Sequence, residues 1–294
     1  MKPPPFEYEA PTSVEAAIAL VAEHGEDGKV LAGGQSLVPL MNFRLARPDV
    51  LIDVNDVHEL SYLRRADGRL RIGALTRHAQ AEASPLVHDH WPLLTDALRW
   101  VGHAQIRNRG TVGGSVAHAD PAAELPVAMT ALDARFHVRS NARGDRVLAP
   151  AEMFADQLQS GLEDDELLVE IEVPPTPTGT GWAFTEYARR HGDFALGGAA
   201  VVLEPDGGGC VDRAAIALLG AGPTPMRARA AEEALAGQAI TPALAREAAA
   251  EAVRDISPTG DMHGGSEYRR GLIETMAERA LLAAAARMND GRAA

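Results

Sequence analysis

Apolar positions first recur at helical spacing in Val14, Ile18 and Val21, an i, i+4, i+7 stripe. Thr12 and Glu15 read as a capping box before it, and Gly25 can take the left-handed position after it. The period then shortens. Lys29 to Ala32 reads as a strand, Gly33-Gly34-Gln35-Ser36 as a break, Leu37 to about Leu45 as a helix, and Val50 to Val54, beyond Pro48, as a second strand. The opening segment is thus predicted to be a compact α/β unit in which a glycine turn joins strand to helix.

A second segment starts with a strand at Arg69 to Ile72. A helix capped by Thr76 is expected to run toward Ala83, and a longer one to cover Leu93 to His103. The run Ile106-Arg107-Asn108-Arg109-Gly110-Thr111-Val112-Gly113-Gly114-Ser115 interrupts the pattern as a glycine turn. A helix from Ala122 to Leu132 and strands at Arg135 to Arg139 and Leu167 to Val173 follow. Pro174 to Gly181, rich in Pro and Gly, breaks both periodicities and marks a domain boundary. Beyond it, strands at Phe184 to Ala188, Ala195 to Leu203 and Ala214 to Leu219 precede helices at Ala228 to Ala236, Pro242 to Arg254 and Ser266 to Arg287. The last helix carries an apolar stripe of Ile273, Met276, Ala277, Ala280 and Leu281. Strands followed by helices predict an antiparallel sheet with helices on one face, and an α+β class overall.

Composition narrows the chemistry. A formal net charge of -13 disfavours a nucleic-acid binder, which needs clustered basic residues. Cys210 is the single cysteine of the 294 residues, so the chain can form no internal disulfide and ligate no iron–sulfur cluster with its own thiolates. The first residues show no export signal and no apolar run is long enough to span a bilayer, which sets the cytoplasm as the expected location.

The chemistry concentrates in the two glycine breaks. In Leu31-Ala32-Gly33-Gly34-Gln35-Ser36-Leu37 and in Thr111-Val112-Gly113-Gly114-Ser115, paired glycines let backbone N–H groups turn outward into a nest suited to phosphate. A double glycine also serves as a plain strand-to-helix turn, and both readings stand for each loop alone. Two such loops would suit a pyrophosphate. The common nucleotide fingerprints are absent: there is no Walker A sequence, and Gly220-Ala221-Gly222 runs into Pro223 and Pro225.

The segments Leu31 to Met41 and Ile106 to Ser115 resemble the two flavin loops of the medium subunit of molybdenum hydroxylases, the family of the carbon monoxide dehydrogenase flavoprotein and the xanthine dehydrogenase FAD domain. Arg189 to Ala195, Asp261 to Ser266, Tyr268 and Arg269 resemble later segments of that family, in the same order. The resemblance implies a two-lobed FAD-binding α/β domain over residues 1–175, with lobes of about 1–57 and 58–175, then a smaller α+β domain over 181–294. It implies that Ala32, Gly33, Gly34, Gln35 and Ser36, with Thr111 to Ser115 (Thr111, Gly113, Gly114 and Ser115 foremost), hold the FAD pyrophosphate, and that Leu31 and Leu37 also contact the cofactor. Ser115 stands where relatives often have Asn. Glu124 takes the place of an acidic residue beside the cofactor that is often Asp. Leu167 or Leu168 would lie near the flavin ring through backbone atoms, with Phe194 a further ring neighbour.

The implied role is an electron-relay subunit of an oxidoreductase complex. A large partner would carry the molybdenum cofactor and a small one the [2Fe-2S] clusters. Electrons would pass through FAD to an external acceptor, with no catalytic acid or base here. With Gln35 in the first loop and His24 ahead of the strand, FAD is expected to be non-covalent. A stand-alone FAD-dependent oxidase or reductase, and a flavin-free scaffold subunit, are the alternatives. Elsewhere, His88-Asp89-His90 offers no third metal ligand, and no metal site is expected. His118 and Asp120 read as a base with its orienting carboxylate or, preferably, as loop residues that cap the next helix, with Asp120 or Pro121 at its start; Cys210 reads as part of a hairpin turn; and Trp91, Trp100 and Trp182 read as packing residues.

Overall fold

The computed structural model describes residues 2–290; Met1 and residues 291–294, the outermost positions of the expected domains, lie outside the described residues. Three main sheets, each with its own helices, follow one another along the chain, and a two-stranded ribbon accompanies the second. The first is built from β1 (Glu7–Glu9), α1 (Val14–His24), β2 (Gly28–Leu31), α2 (Leu37–Asn42) and β3 (Val50–Asp53). Its strands lie parallel in the order β1-β3-β2, with Val50 opposite both Glu7 and Gly28. Val14, Ala17, Ile18 and Val21 of α1 pack on Val50, Ile52 and Val54, as the stripe predicts.

Two helix ends differ from expectation. Ser13, not Thr12, caps α1: it is extended (φ -135°, ψ 159°) and its hydroxyl accepts from the Ala16 N–H at 3.2 Å. α2 stops at Asn42 instead of near Leu45, because Arg44 turns to φ 59° and the Leu45 and Ala46 N–H groups both return to the Leu40 carbonyl.

The second region comprises β4 (Leu63–Ala66), β5 (Arg69–Gly73), α3 (His78–Glu82), α4 (Pro85–His90), α5 (Pro92–Leu98), α6 (Ala104–Arg109), α7 (Val112–His118), α8 (Glu124–Ala131), β6 (Arg135–Ser140), β7 (Gly144–Leu148), α9 (Pro150–Met153), β8 (Phe154–Asp156), β9 (Gln159–Ser160) and β10 (Leu167–Val173). The five-stranded sheet has the order β4-β5-β10-β6-β7, and β10 lies between partners distant in sequence. Its inward residues are buried, while Glu170 and Glu172 on the other face each meet Arg71 at 2.7 Å. α8 is buried on every side. Thr76 does not cap α3: its hydroxyl donates to the Tyr62 carbonyl at 2.8 Å, and Arg77 takes the cap position. The helix expected over Leu93 to His103 ends at Leu98, ahead of Gly102 at φ 47°.

The third region holds β11 (Gly181–Tyr187), β12 (Gly197–Pro205), β13 (Val211–Leu219), β14 (Met226–Arg227), α10 (Arg229–Leu235), α11 (Pro242–Ala252) and α12 (Ser266–Asp290), with the strands antiparallel in chain order. Alternation decides which neighbour each residue meets. Ala183, Ala199, Val201 and Leu203 pack against α10 to α12, as expected. Phe184, Ala200, Val202, Ala215 and Ala217 face the other way and join the core of the five-stranded region. The sheet is therefore covered on both faces. The stretch 174–181 is clamped: Trp91 Nε1 donates to the Pro174 carbonyl (2.6 Å), and Arg287 Nη1 donates to Asp96 (2.8 Å) and to the Trp182 carbonyl (2.7 Å). The hairpin at Cys210 is present, with Asp206 Oδ1 accepting from the Gly208, Gly209 and Cys210 N–H groups.

Candidate functional site

The two glycine segments, remote in sequence, touch. A Cβ added at Gly33 would lie 2.5 Å from the Arg109 carbonyl oxygen and 2.7 Å from Gly110 Cα. Gly114 faces Ala32, whose Cβ would be 3.7 Å from a Cβ at Gly114. Only glycine permits this approach at Gly33, and Gly34, at φ 71°, adopts the left-handed conformation that starts the turn. Gln35 folds back to donate to the Gly33 carbonyl at 3.0 Å.

The second segment is not a free-standing turn. Thr111 caps α7, its hydroxyl oxygen accepting from the Gly114 N–H at 3.1 Å, so Gly113, Gly114 and Ser115 form the first turn of that helix. Gly113 is pressed on the end of β5: its N–H donates to the Ala74 carbonyl at 2.9 Å, and an added Cβ would come within 2.6 Å of Ala74. His78, 5% exposed, holds the segment from beneath. Its backbone N–H donates to the Gly110 carbonyl (3.0 Å) and its Nε2 to the Thr111 carbonyl (2.8 Å). Burial pushes His78 down to about 4, so the ring is neutral near pH 7, and no residue among those described partners Nδ1.

Beside this junction lies a cleft of about 320 Å³ lined by Leu31, Gly33, Gly34, Gln35, Val38, Pro39 and Arg109. Of the expected residues, Leu31, Gly33, Gly34 and Gln35 line it. Ala32 and Gly114 face each other beside it, Thr111, Gly113 and Ser115 lie in the cap and first turn of α7, and Ser36 and Leu37 begin α2. Sequence reasoning missed three residues here: Arg109, which lines the cleft, and Arg77 and Asn55, which lie behind the loops. No alternation or spacing marks them; only the tertiary fold does. Burial, then the neighbouring Arg109, lowers the Arg77 pKa, and a lowered arginine remains a cation. Burial pulls Asp53 up, but hydrogen bonds from Asn55 and Tyr8, with Arg109 nearby, outweigh it and hold the carboxylate below its ordinary range.

Glu124 and Leu168 lie elsewhere. Glu124 is the first residue of α8, beyond α7 and the left-handed Ala119 (φ 51°), and α7 alone rises about 10 Å from the glycine junction. Leu168 is buried in β10 next to a register shift. Asp120 does not cap α8, as expected of it: its carboxylate accepts from the Ala122 N–H at 2.8 Å within the turn after α7, and Ala123 takes the cap position of a helix that starts at Glu124 instead of Ala122. Across the seam, Glu186 of β11 shares the strand face of Trp182 and Phe184, which is packed toward α5 and α8. It is 7% exposed, and no residue among those described partners either carboxyl oxygen. Burial pushes Glu124 up to about 7; burial and then Glu124 push Glu186 up to about 9. Phe194 is 76% exposed. His88 and His90 fall in α4, where alternating residues diverge, and no metal-holding group of acids, histidines or cysteines occurs among the described residues.

Glycine segments in contact and a cleft lined by Arg109 with no carboxylate lining it suit a nucleotide. They fit FAD, whose pyrophosphate needs backbone donors and cations and whose polar chain supplies hydrogen bonds. With no His or Cys lining the cleft, they fit it as a non-covalent ligand. The comparisons agree. Residues 4–176 match the family described as "FAD binding domain in molybdopterin dehydrogenase", and residues 182–284 match "CO dehydrogenase flavoprotein C-terminal domain". The chain is 46% identical to the 6-hydroxypseudooxynicotine dehydrogenase complex subunit alpha of Paenarthrobacter nicotinovorans, covering 96% of this chain and 95% of the relative. It is 42% identical to the caffeine dehydrogenase subunit beta of Pseudomonas sp. (strain CBB1), covering 98% and 97%. Among solved structures, the carbon monoxide dehydrogenase of Hydrogenophaga pseudoflava that lacks the Mo-pyranopterin moiety superposes with a TM-score of 0.95 at 41% identity, covering 98% and 99%.

The chain belongs to the family of FAD-binding medium subunits of molybdenum hydroxylases. It is an FAD-dependent oxidoreductase subunit of the multi-subunit dehydrogenase kind. No helix among the described residues is long and apolar enough to cross a membrane.

Proposed function

We propose that the FAD pyrophosphate sits at the junction of the two glycine segments, held by Leu31 to Leu37 on one side and by Thr111, Gly113, Gly114 and Ser115 on the other. The observation that carries this reading is the contact of Gly33 with Arg109 and Gly110, which brings the Gly33-Gly34 turn, the start of α7 and a cation to one place; the expected second nest is not formed, because the Val112, Gly113, Gly114 and Ser115 N–H groups donate to Thr76, Ala74 and Thr111. Backbone N–H groups turned outward by Gly34 orient one phosphate, and the Arg109 guanidinium adds charge at the cleft. Glu124, and the backbone at Leu168, would meet the remainder of the cofactor farther along α7 and β10. Residues 1–175, as lobes of about 1–57 and 58–175, form the FAD-binding unit, and residues 181–294 form a second unit that closes on it.

Bound FAD supplies a carrier that exchanges electrons singly or in pairs. The single Cys210 makes a cluster in this chain unworkable, so electrons arrive from [2Fe-2S] clusters on a small partner, fed by a molybdenum-cofactor subunit that oxidises the substrate, and leave to an external acceptor. Cytoplasmic assembly goes with this reading. The chain's own task is to bind and orient the flavin and shape its surroundings.

The test is the absorption spectrum of the purified full chain before and after heat release. Flavin bands that pass into the supernatant as FAD support the site. A chain that stays colourless in excess FAD overturns it.

A further inference from the structure

Behind the glycine junction runs a polar connection between the two segments. Asn55 Nδ2 donates to the Ala32 carbonyl of the first at 2.9 Å. Asn55 Oδ1 accepts from Arg77 Nη2 at 2.7 Å, and Arg77 Nη1 donates to the Arg109 carbonyl of the second. The amide cannot usefully turn over, because Asp53 Oδ1 accepts from both the backbone N–H (3.0 Å) and the Nδ2 (2.5 Å) of Asn55. A flipped amide would set its oxygen against two acceptors. The two ends of the connection are the residues flanking the Gly33 contact, so its length governs how far apart the segments stand.

We propose that Asn55 and Arg77 are positioning residues: a strut that sets the gap between the two glycine segments and so fits the site to two linked phosphates. The inference rests on the FAD reading above. The chemistry requires these side chains in particular. A guanidinium is a planar fork that reaches two acceptors at once, whereas a lysine ammonium on a flexible stem carries the same charge without the fixed geometry. An asparagine offers a donor and an acceptor at opposite corners; leucine, of similar size, offers neither. The fold does not depend on the strut, since the second segment is separately anchored by His78 and Ala74 and the first by β2 pairing with β3.

The experiment uses the full chain, freed of cofactor, as wild type, Arg77→Lys, Asn55→Leu and the double variant. FAD, ADP and riboflavin are titrated by fluorescence or calorimetry, and the melting temperature of the cofactor-free protein is recorded. Arg77→Lys and Asn55→Leu are each expected to weaken FAD and ADP about 10- to 100-fold, the loss of one charge-assisted hydrogen bond in a connected pair. Riboflavin, which has no phosphate, should bind all forms alike, and the melting temperature should hold. The double variant should lose little more than either single one, because one broken link already opens the strut. Wild-type affinity for FAD in Arg77→Lys would overturn the proposal, since charge alone would then suffice. Equal weakening of riboflavin would also overturn it, by showing general disruption. A wild-type chain that binds no FAD would overturn the underlying reading as well, and is told apart by failing before any variant is compared.

Discussion

The glycine junction and the carboxyl seam solve opposite problems with buried polar atoms. At the junction, the carbonyls of Ala32, Arg109, Gly110 and Thr111 all receive hydrogen bonds from named donors, and cations lie beside the cleft. At the seam, Glu186 sits against Glu124 with both oxygens unpartnered among the described residues, and burial keeps it protonated near pH 7. On the FAD reading proposed above, the junction is where an anion would be held. The seam holds a cost that a bound hydrogen-bonding ligand or a change of protonation can relieve.

The largest expected effect breaks the junction. Gly113→Val sets a side chain against the Ala74 backbone, and should abolish FAD retention and destabilise the chain by roughly 3 kcal/mol or more; FAD bound per purified chain and the denaturant midpoint check it. Gly33→Val should abolish FAD retention with a smaller stability loss, because the loop it displaces is at the surface.

The next effect sharpens the contrast at the seam. Glu186 has a folded pKa of about 9 against an ordinary 4.5. Its stabilising contribution is present below the ordinary value and is lost as pH rises through the folded one. Cofactor-free wild type should therefore weaken as pH climbs from about 5 to 9. Glu186→Gln should flatten that slope and be more stable at the alkaline end by a few kcal/mol, on the order of the linkage. Melting curves across that range decide it; parallel slopes for the two proteins would remove Glu186 as the cause.

A moderate effect is expected at His78, whose folded pKa of about 4 lies below its ordinary 6.5. The neutral ring is favoured on folding, so its contribution is present above 6.5 and lost as pH falls toward 4. His78→Leu should cost about 1–2 kcal/mol at neutral pH, from the lost hydrogen bond to Thr111, and should lessen the acid-side decline. Urea unfolding at pH 7.5 and 5 checks both parts. The smallest effect is Arg109→Ala, an exposed cation in solvent, which should weaken FAD about threefold to tenfold and reduce the salt dependence of binding.

Local signals were legible where periodicity or a glycine turn acts within a few positions. The α1 stripe, the strand before Gly33, the Cys210 hairpin and the strand-then-helix order of the last region all stand as expected. Errors fell by a residue or a few at helix ends, as at Ser13 and Arg44, and more widely where a distant partner decided. Thr76 looks like a cap but spends its hydroxyl on Tyr62, Gly113 looks like a turn but packs as a helix against β5, and the short β4 and β7 were not expected because their stability comes from the sheet they edge.

By itself, then, the sequence determined the strand-then-helix order of the last region, the opening strand-turn-helix unit, the two glycine segments, the absence of thiolate ligands for a cluster and the family resemblance, since these depend on local backbone freedom, short-range period and residue identity. Tertiary structure alone decided that Gly33 meets Gly110, that Asn55 and Arg77 join the segments from behind, and that Glu186 faces Glu124 across the seam. Those contacts join residues whose separation along the chain carries no signal, and they exist because packing three sheets around shared cores leaves each side chain only one set of neighbours.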